Sequence, residues 1–255
     1  MLTYRFSYYI MCVIDGAIIH KNRTQERKMT VLIDFSLLPE DSTQTRQKVI
    51  DTCLWLVEKG LVVSTWGNIS VRLNDGNILI TPSRVAYHEM QPEDLVVLAP
   101  DGTVVKGFRL STSERELHRG ILNARPDVHA VIHTHSTYAM ACCAMEGGIP
   151  AFSEEMAQLL GGAIPLSKAF VPSEQHVNLG RMAVESIGQA NALLLRNHGP
   201  VCLGRSLEEA KACAQIVEKS AKIYMHIRAA GEPCLLEDKW VKAGRAYFTD
   251  AYGKT

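Results

Sequence analysis

Two Asp-Gly pairs constrain the fold of this chain more than any other feature of its sequence. The first, in Asn74-Asp75-Gly76, separates GNISVRL (67–73) from NILIT (77–81), and the second, Asp101-Gly102, separates DLVVLAP (94–100) from TVVKG (103–107). Asp-Gly supplies the backbone geometry that a tight hairpin requires, so each pair predicts two antiparallel strands. A doubly wound nucleotide-binding fold needs strict alternation of strand and helix, and the hairpins break that order. Around them, TQTRQKVIDTCLWLVE (43–58) has apolar residues at helical spacing, with Ser42 or Thr43 to cap its start and Gly60 to end it. The same reading predicts helices over 113–124, 137–145, 153–160, 174–189 and 206–231, and apolar strands over 130–135 and 192–196. The sum is an α/β fold, a three-layer α-β-α arrangement around a central, largely antiparallel sheet.

A chain of 255 residues is long enough for one domain with a full core. Lys+Arg and Asp+Glu balance at 27 each, which argues against a nucleic-acid partner. Seven cysteines are an odd number with no C-x-x-C spacing, as expected of reduced thiols in a cytoplasmic protein, and the adjacent Cys142 and Cys143 read as packing residues. At the N-terminus the apolar run from Phe6 to Ile19 is interrupted by Asp15 and falls short of the roughly 20 residues a membrane span needs. Residues 1–28 are therefore expected to be an extension preceding a single domain over 29–255, with Met29 as the start of the functional chain. Mass spectrometry of the native protein tests this: an intact Met1 terminus would overturn it.

The residues that carry chemistry begin with AVIHTHS (130–136). In a strand, residues i and i+2 share a face, so His133 and His135 offer two imidazoles side by side. Catalytic zinc sites commonly use three protein ligands and leave a position open. His198, in the turn LRNHG (195–199), is the candidate third ligand on its context. His20, His88, His118, His129, His176 and His226 have no comparable arrangement. Thr112-Ser113-Glu114 opens a helix, a place suited both to simple capping and to anion binding. Glu114 there admits several roles: dipole partner, metal ligand, or general acid/base. Asn68 in GNIS and Ser83 in TPS sit at strand ends, where turn residues and phosphate contacts look alike.

Taken in order along the chain, GNISVR, ITPS, TSE, HTH and RNHG, followed by the long helix, resemble the class II aldolase/adducin-type family. The likeness runs from about Thr43 to Ala230. It implies that His133, His135 and His198 hold a divalent metal, zinc first, with manganese or another divalent ion as alternatives. It implies that Glu114 is the working acid of an aldolase, where epimerases of the family have Asp, and that Asn68, Ser83, Thr112 and Ser113 hold a substrate phosphate. Two departures from the pattern concern the substrate. Arg84 follows Ser83 where an aldolase of the family has Gly, and Glu155 stands where that aldolase has a tyrosine reaching a neighbouring subunit's site. Both are candidate substrate contacts.

The activity implied by the resemblance is cleavage of a phosphorylated ketose to dihydroxyacetone phosphate and an aldehyde, through a metal-stabilised enediolate. Its nearest rival reaches a similar enediolate by decarboxylating a 3-oxo-tetronate 4-phosphate. Behind these stand a sugar-phosphate epimerase, a dehydratase of methylthioribulose phosphate, and a non-catalytic adducin-like module, which would have lost the histidines and glutamate that are present here. The resemblance also implies a homotetramer with sites between subunits, and Tyr247 or Tyr252 as candidates to close the site.

Overall fold

The computed structural model describes residues 34–252, so the expected division at residue 28 lies outside the described residues. The first predicted helix is present with the predicted bounds, as α1 (Thr43–Glu58), and the Ser42 side chain accepts from the Thr45 backbone N–H at its start. Both hairpins are present: β1 (Asn68–Arg72) with β2 (Ile78–Ile80), and β3 (Val96–Leu98) with β4 (Val104–Lys106). In the first turn Gly76 sits at φ +83°, and Asp75 Oδ1 accepts from the Asn77 N–H.

After α2 (Arg115–Ala124) come β5 (Ala130–His133) and α3 (Thr137–Cys143). The 153–160 segment contains a π-helical turn (Met156–Leu160) rather than an α-helix. Next follow α4 (His176–Ile187), β6 (Ala192–Leu194), β7 (Pro200–Gly204), α5 (Leu207–Ala230) and α6 (Asp238–Asp250). Neither β7 nor α6 is expected from the sequence patterns above. β7 is a short apolar run that starts on a proline, tolerable because Pro200 occupies the first position of its strand.

Among the described residues the strands form one seven-stranded sheet in the order β4-β3-β2-β1-β5-β7-β6, each neighbour antiparallel. Strand alternation sends side chains to two separate cores. Ala130, Ile132, Ala192, Leu194 and Cys202 join α1, α3 and α5 on one face. Val131, Leu193, Val201 and Leu203 join α2 and α4 on the other. The expected α-β-α layering follows directly, because both faces are covered by helices. No helix among the described residues is long and apolar enough to cross a membrane.

Candidate active site

Antiparallel pairing brings three chain positions to one end of the sheet: the start of β1, the end of β5 and the start of β7. Asn68 pairs with His133, and His133 pairs in turn with Val201. Two positions beyond His133, just past the end of β5, comes His135. The β6–β7 turn carries His198: the Leu195 N–H donates to the Gly199 carbonyl at 3.0 Å, and the His198 N–H donates to the Leu195 carbonyl at 3.0 Å. Asn197 supplies the left-handed backbone this turn needs (φ +54°), a conformation asparagine tolerates better than most residues. Gly199 is required by close approach, since a Cβ there would lie 2.4 Å from the Thr134 carbonyl oxygen and 3.2 Å from each of two imidazole rings.

The three imidazoles meet edge to face, with ring centroids 4.9 to 5.1 Å apart. One ring nitrogen from each lies within 4.8 Å of the others. His133 Nδ1 donates to the Pro200 carbonyl oxygen at 2.9 Å. A carbonyl only accepts, so the proton of a neutral His133 is on Nδ1 and Nε2 presents a lone pair. That lone pair lies 3.0 Å from His135 Nε2 and 3.4 Å from Glu114 Oε2. Glu114 Oε1 lies 3.1 Å from His198 Nε2. Lone pairs and a carboxylate crowded together without enough protons form a donor set that suits a divalent cation. Burial pushes the pKa of both His133 and His135 down, that of His135 to about 3, so both imidazoles are neutral and able to ligate near neutral pH.

Glu114 is the N-cap residue of α2 and is buried. Burial alone would raise its carboxyl, but the attraction of His133 and His198 once acid protonates them, together with hydrogen bonds from His198 and Asn68, outweighs it and holds the group below the usual carboxylate range. Asn68 Nδ2 donates to Glu114 Oε2 at 2.7 Å.

The three proposed phosphate motifs are joined by hydrogen bonds into one surface. The Ile69 N–H donates to Thr81 Oγ1, the Thr112 N–H to the Thr81 carbonyl, and the Ser83 N–H to the Leu110 carbonyl. Asn68 and Thr112 are buried, Ser83 is half-buried and Ser113 is exposed. Arg84 is exposed beside Ser83 with left-handed backbone (φ +61°). Glu155 is exposed and paired with Lys219 of α5 at 2.7 Å. Neither Arg84 nor Glu155 makes a hydrogen bond or ion pair to the histidines or to Glu114 among the described residues. Tyr247 and Tyr252 are exposed and pack edge to face on each other.

Sequence patterns pass over three neighbours of this cluster. Trp66 lies 5.6 Å from the His135 ring, centroid to centroid, and is largely exposed. Glu218 of α5 accepts from the Tyr138 and Ala139 N–H groups at 2.9 Å and so fixes the start of α3 just beyond His135. His118, which spacing in the sequence leaves unremarkable, is fully buried and bonded to Asn68 and Ser70. The i, i+4 relation of Glu114 and His118 on one helix was the available signal for it.

Comparison with known proteins identifies the family. The family model of the class II aldolase and adducin N-terminal domain matches residues 47–225. An L-ribulose-5-phosphate 4-epimerase of Salmonella paratyphi C is 34% identical over 70% of this chain and 82% of its own length. A 5-deoxy-D-ribulose 1-phosphate aldolase of Bacillus thuringiensis is 32% identical over 82% of this chain and 97% of its own. Among solved structures, an L-fuculose 1-phosphate aldolase superposes with a TM-score of 0.75 at 32% identity, covering 82% of this chain and 97% of its own. By sequence and by fold, the chain belongs to the class II aldolase and adducin N-terminal domain family.

Proposed function

We propose that the chain is a metal-dependent aldehyde-lyase that cleaves a phosphorylated ketose to dihydroxyacetone phosphate and an aldehyde. The observation that carries this reading is the buried Glu114 carboxylate, facing His198 Nε2 at 3.1 Å and His133 Nε2 at 3.4 Å. His133, His135 and His198 would hold one divalent cation, zinc, manganese or another. When bound, such a cation supplies Lewis-acid stabilisation of the oxygen charge that develops as a carbon–carbon bond beside a carbonyl breaks. Glu114 moves the proton. In cleavage its carboxylate accepts the hydroxyl proton of the carbon that becomes the aldehyde as the carbon–carbon bond breaks, and the acid form so made gives that proton to the carbon left beside the carbonyl; in the bond-forming direction the same two transfers run in reverse. Asn68, Ser83, Thr112 and Ser113 bind the phosphate on the surface their loops share, with Arg84 at its rim.

A second reading is kept because of the comparisons: the 34% identical epimerase acts on a related sugar phosphate. Glu114, where family epimerases carry Asp, favours the lyase. The decarboxylase reading rests on Arg84 and Glu155 alone. A homotetramer is proposed with the family, and the exposed apolar residues Val104, Val105, Phe108 and Leu110 on and just after the edge strand β4 are candidates for a subunit contact. Residues 29–255 are proposed as the functional domain, acting in the cytoplasm, a compartment consistent with the six free cysteines of the described residues.

The test is a substrate panel. Metal-loaded protein is incubated with ketose 1-phosphates, L-ribulose 5-phosphate and 3-oxo-tetronate 4-phosphates, with assays for dihydroxyacetone phosphate, the 4-epimer and carbon dioxide. Dihydroxyacetone phosphate is expected. Carbon dioxide alone, or the epimer alone, would overturn the lyase assignment.

A further inference from the structure

Beneath Glu114 lies a line of four polar side chains supplied alternately by β1 and α2. Asn68 and Ser70, two apart on β1, face α2, because the intervening Ile69 joins the opposite core. Glu114 and His118, four apart at the start of α2, face β1. The side chains interleave. Ser70 Oγ lies 2.7 Å from His118 Nδ1, His118 Nε2 is in close contact with Asn68 Oδ1, and Asn68 Nδ2 lies 2.7 Å from Glu114 Oε2. All four are buried, and Ser70 and His118 are fully enclosed.

The direction of every bond in the line follows from the Glu114 end. A carboxylate only accepts, so Asn68 must present its NH2 to it. The Asn68 carbonyl then faces His118 and also only accepts, so the His118 proton is on Nε2. Nδ1 is left with a lone pair, and the Ser70 hydroxyl donates to it. Turned by half a rotation, the Asn68 amide would set its oxygen against the Glu114 carboxylate, acceptor against acceptor.

We propose that His118 is a positioning residue: through its Nε2–H it locks the Asn68 amide with its N–H toward Glu114, and so fixes the carboxylate facing His133 and His198. Burial supports this by pushing the His118 pKa down to about 3, which keeps the ring neutral with a single proton to place. The catalytic consequence rests on the proposed role of Glu114. The tautomer and the amide orientation do not.

The experiment has two arms. In metal-free wild-type protein labelled with 15N-histidine, nuclear magnetic resonance should show His118 as the Nε2–H tautomer; the Nδ1–H tautomer would overturn the proposal whatever the activity of the chain. In the second arm, His118→Gln, whose amide can still donate at the Nε2 position, should keep turnover within about threefold of wild type. His118→Asn, too short to reach Asn68, should lose about 10²-fold in kcat with metal content unchanged and a smaller change in KM, since Asn68 also contacts the phosphate; that is the scale of loss that misplacing a reacting group by about 1 Å brings. Equal losses in both variants, or wild-type kcat in His118→Asn, would overturn the positioning role. If His118→Asn fails to fold, the Gln variant and the tautomer still decide. A wild-type protein inactive on the whole panel would refute the lyase reading and leave the tautomer arm to judge His118 alone.

Discussion

The two faces of the sheet are covered alike and filled differently. Under α1, α3 and α5 the strands contribute an apolar core that holds Cys202, Ile69 and Ile132 together with Cys53, Leu56, Cys142, Cys143 and Cys213 of the helices, and the buried polar side chains Arg46, Thr52 and Ser220 belong to the helices. The face under α2 and α4 combines an apolar core with buried polar groups: Asn68, Ser70, His118, Arg125 and Arg72, whose guanidinium donates to the carbonyls of Leu122, Arg125 and Val128. His133 and Glu114 stand at the end of this second face. One face therefore supplies stability that can be traded between similar residues, whereas the other holds directional contacts that cannot be exchanged without moving the site.

If this division is right, substitutions on the two faces separate activity from stability. Glu114→Gln should give the largest effect, a fall in turnover of about 10³-fold, or about 4 kcal/mol in the transition state, with folding and metal content intact. Steady-state kinetics beside elemental analysis would check it. Leu56→Ala, on the opposite face, should cost about 3 kcal/mol of stability by urea denaturation while kcat stays within twofold, because a fully buried leucine leaves its cavity in the core across the sheet from α2. A large loss of kcat in that variant would break the separation.

Acid should expose the polar face. The folded pKa of His118, about 3, lies below its ordinary 6.5. The unfolded chain therefore takes up the proton first, and stability present above pH 6.5 is lost as pH falls toward 3, at about 1.4 kcal/mol per unit for this group. Denaturation of metal-free protein between pH 7 and 4 should show that loss, with a shallower slope in His118→Gln. The smallest effect belongs to the thiols. Burial pushes those of Cys53, Cys142, Cys143, Cys202 and Cys213 up, so under native conditions a thiol reagent should modify exposed Cys234 well before any of them. Rapid modification of Cys202 would mean that the apolar face opens far more readily than its packing implies.

Much of this fold is legible in the sequence because its strongest signals are local. Asp75-Gly76 and Asp101-Gly102 fix two hairpins, and the apolar spacing of 43–58 fixes α1. The elements that were not expected depend on distant partners. β7 begins on Pro200 and reads as a strand only once β5 and β6 flank it, and α6 has no buried residue to give it an apolar stripe. The site divides in the same way. His133 and His135 are visible as a pair two residues apart, whereas His118 shows only its four-residue spacing from Glu114 until β1 sets Asn68 between the two. Glu155 shows the reverse: singled out by its place in a motif, it is paired with Lys219 at the surface.

The central claim is that His133, His135 and His198 form one metal site, and calorimetric titration of the metal-free chain with zinc tests it most directly. The account predicts one ion bound per chain, with affinity at least about 100-fold weaker in both His135→Ala and His198→Ala, since each removes a ligand rather than its support. Wild-type protein that binds no zinc at a defined site, or variants that bind it as tightly as wild type, would contradict it.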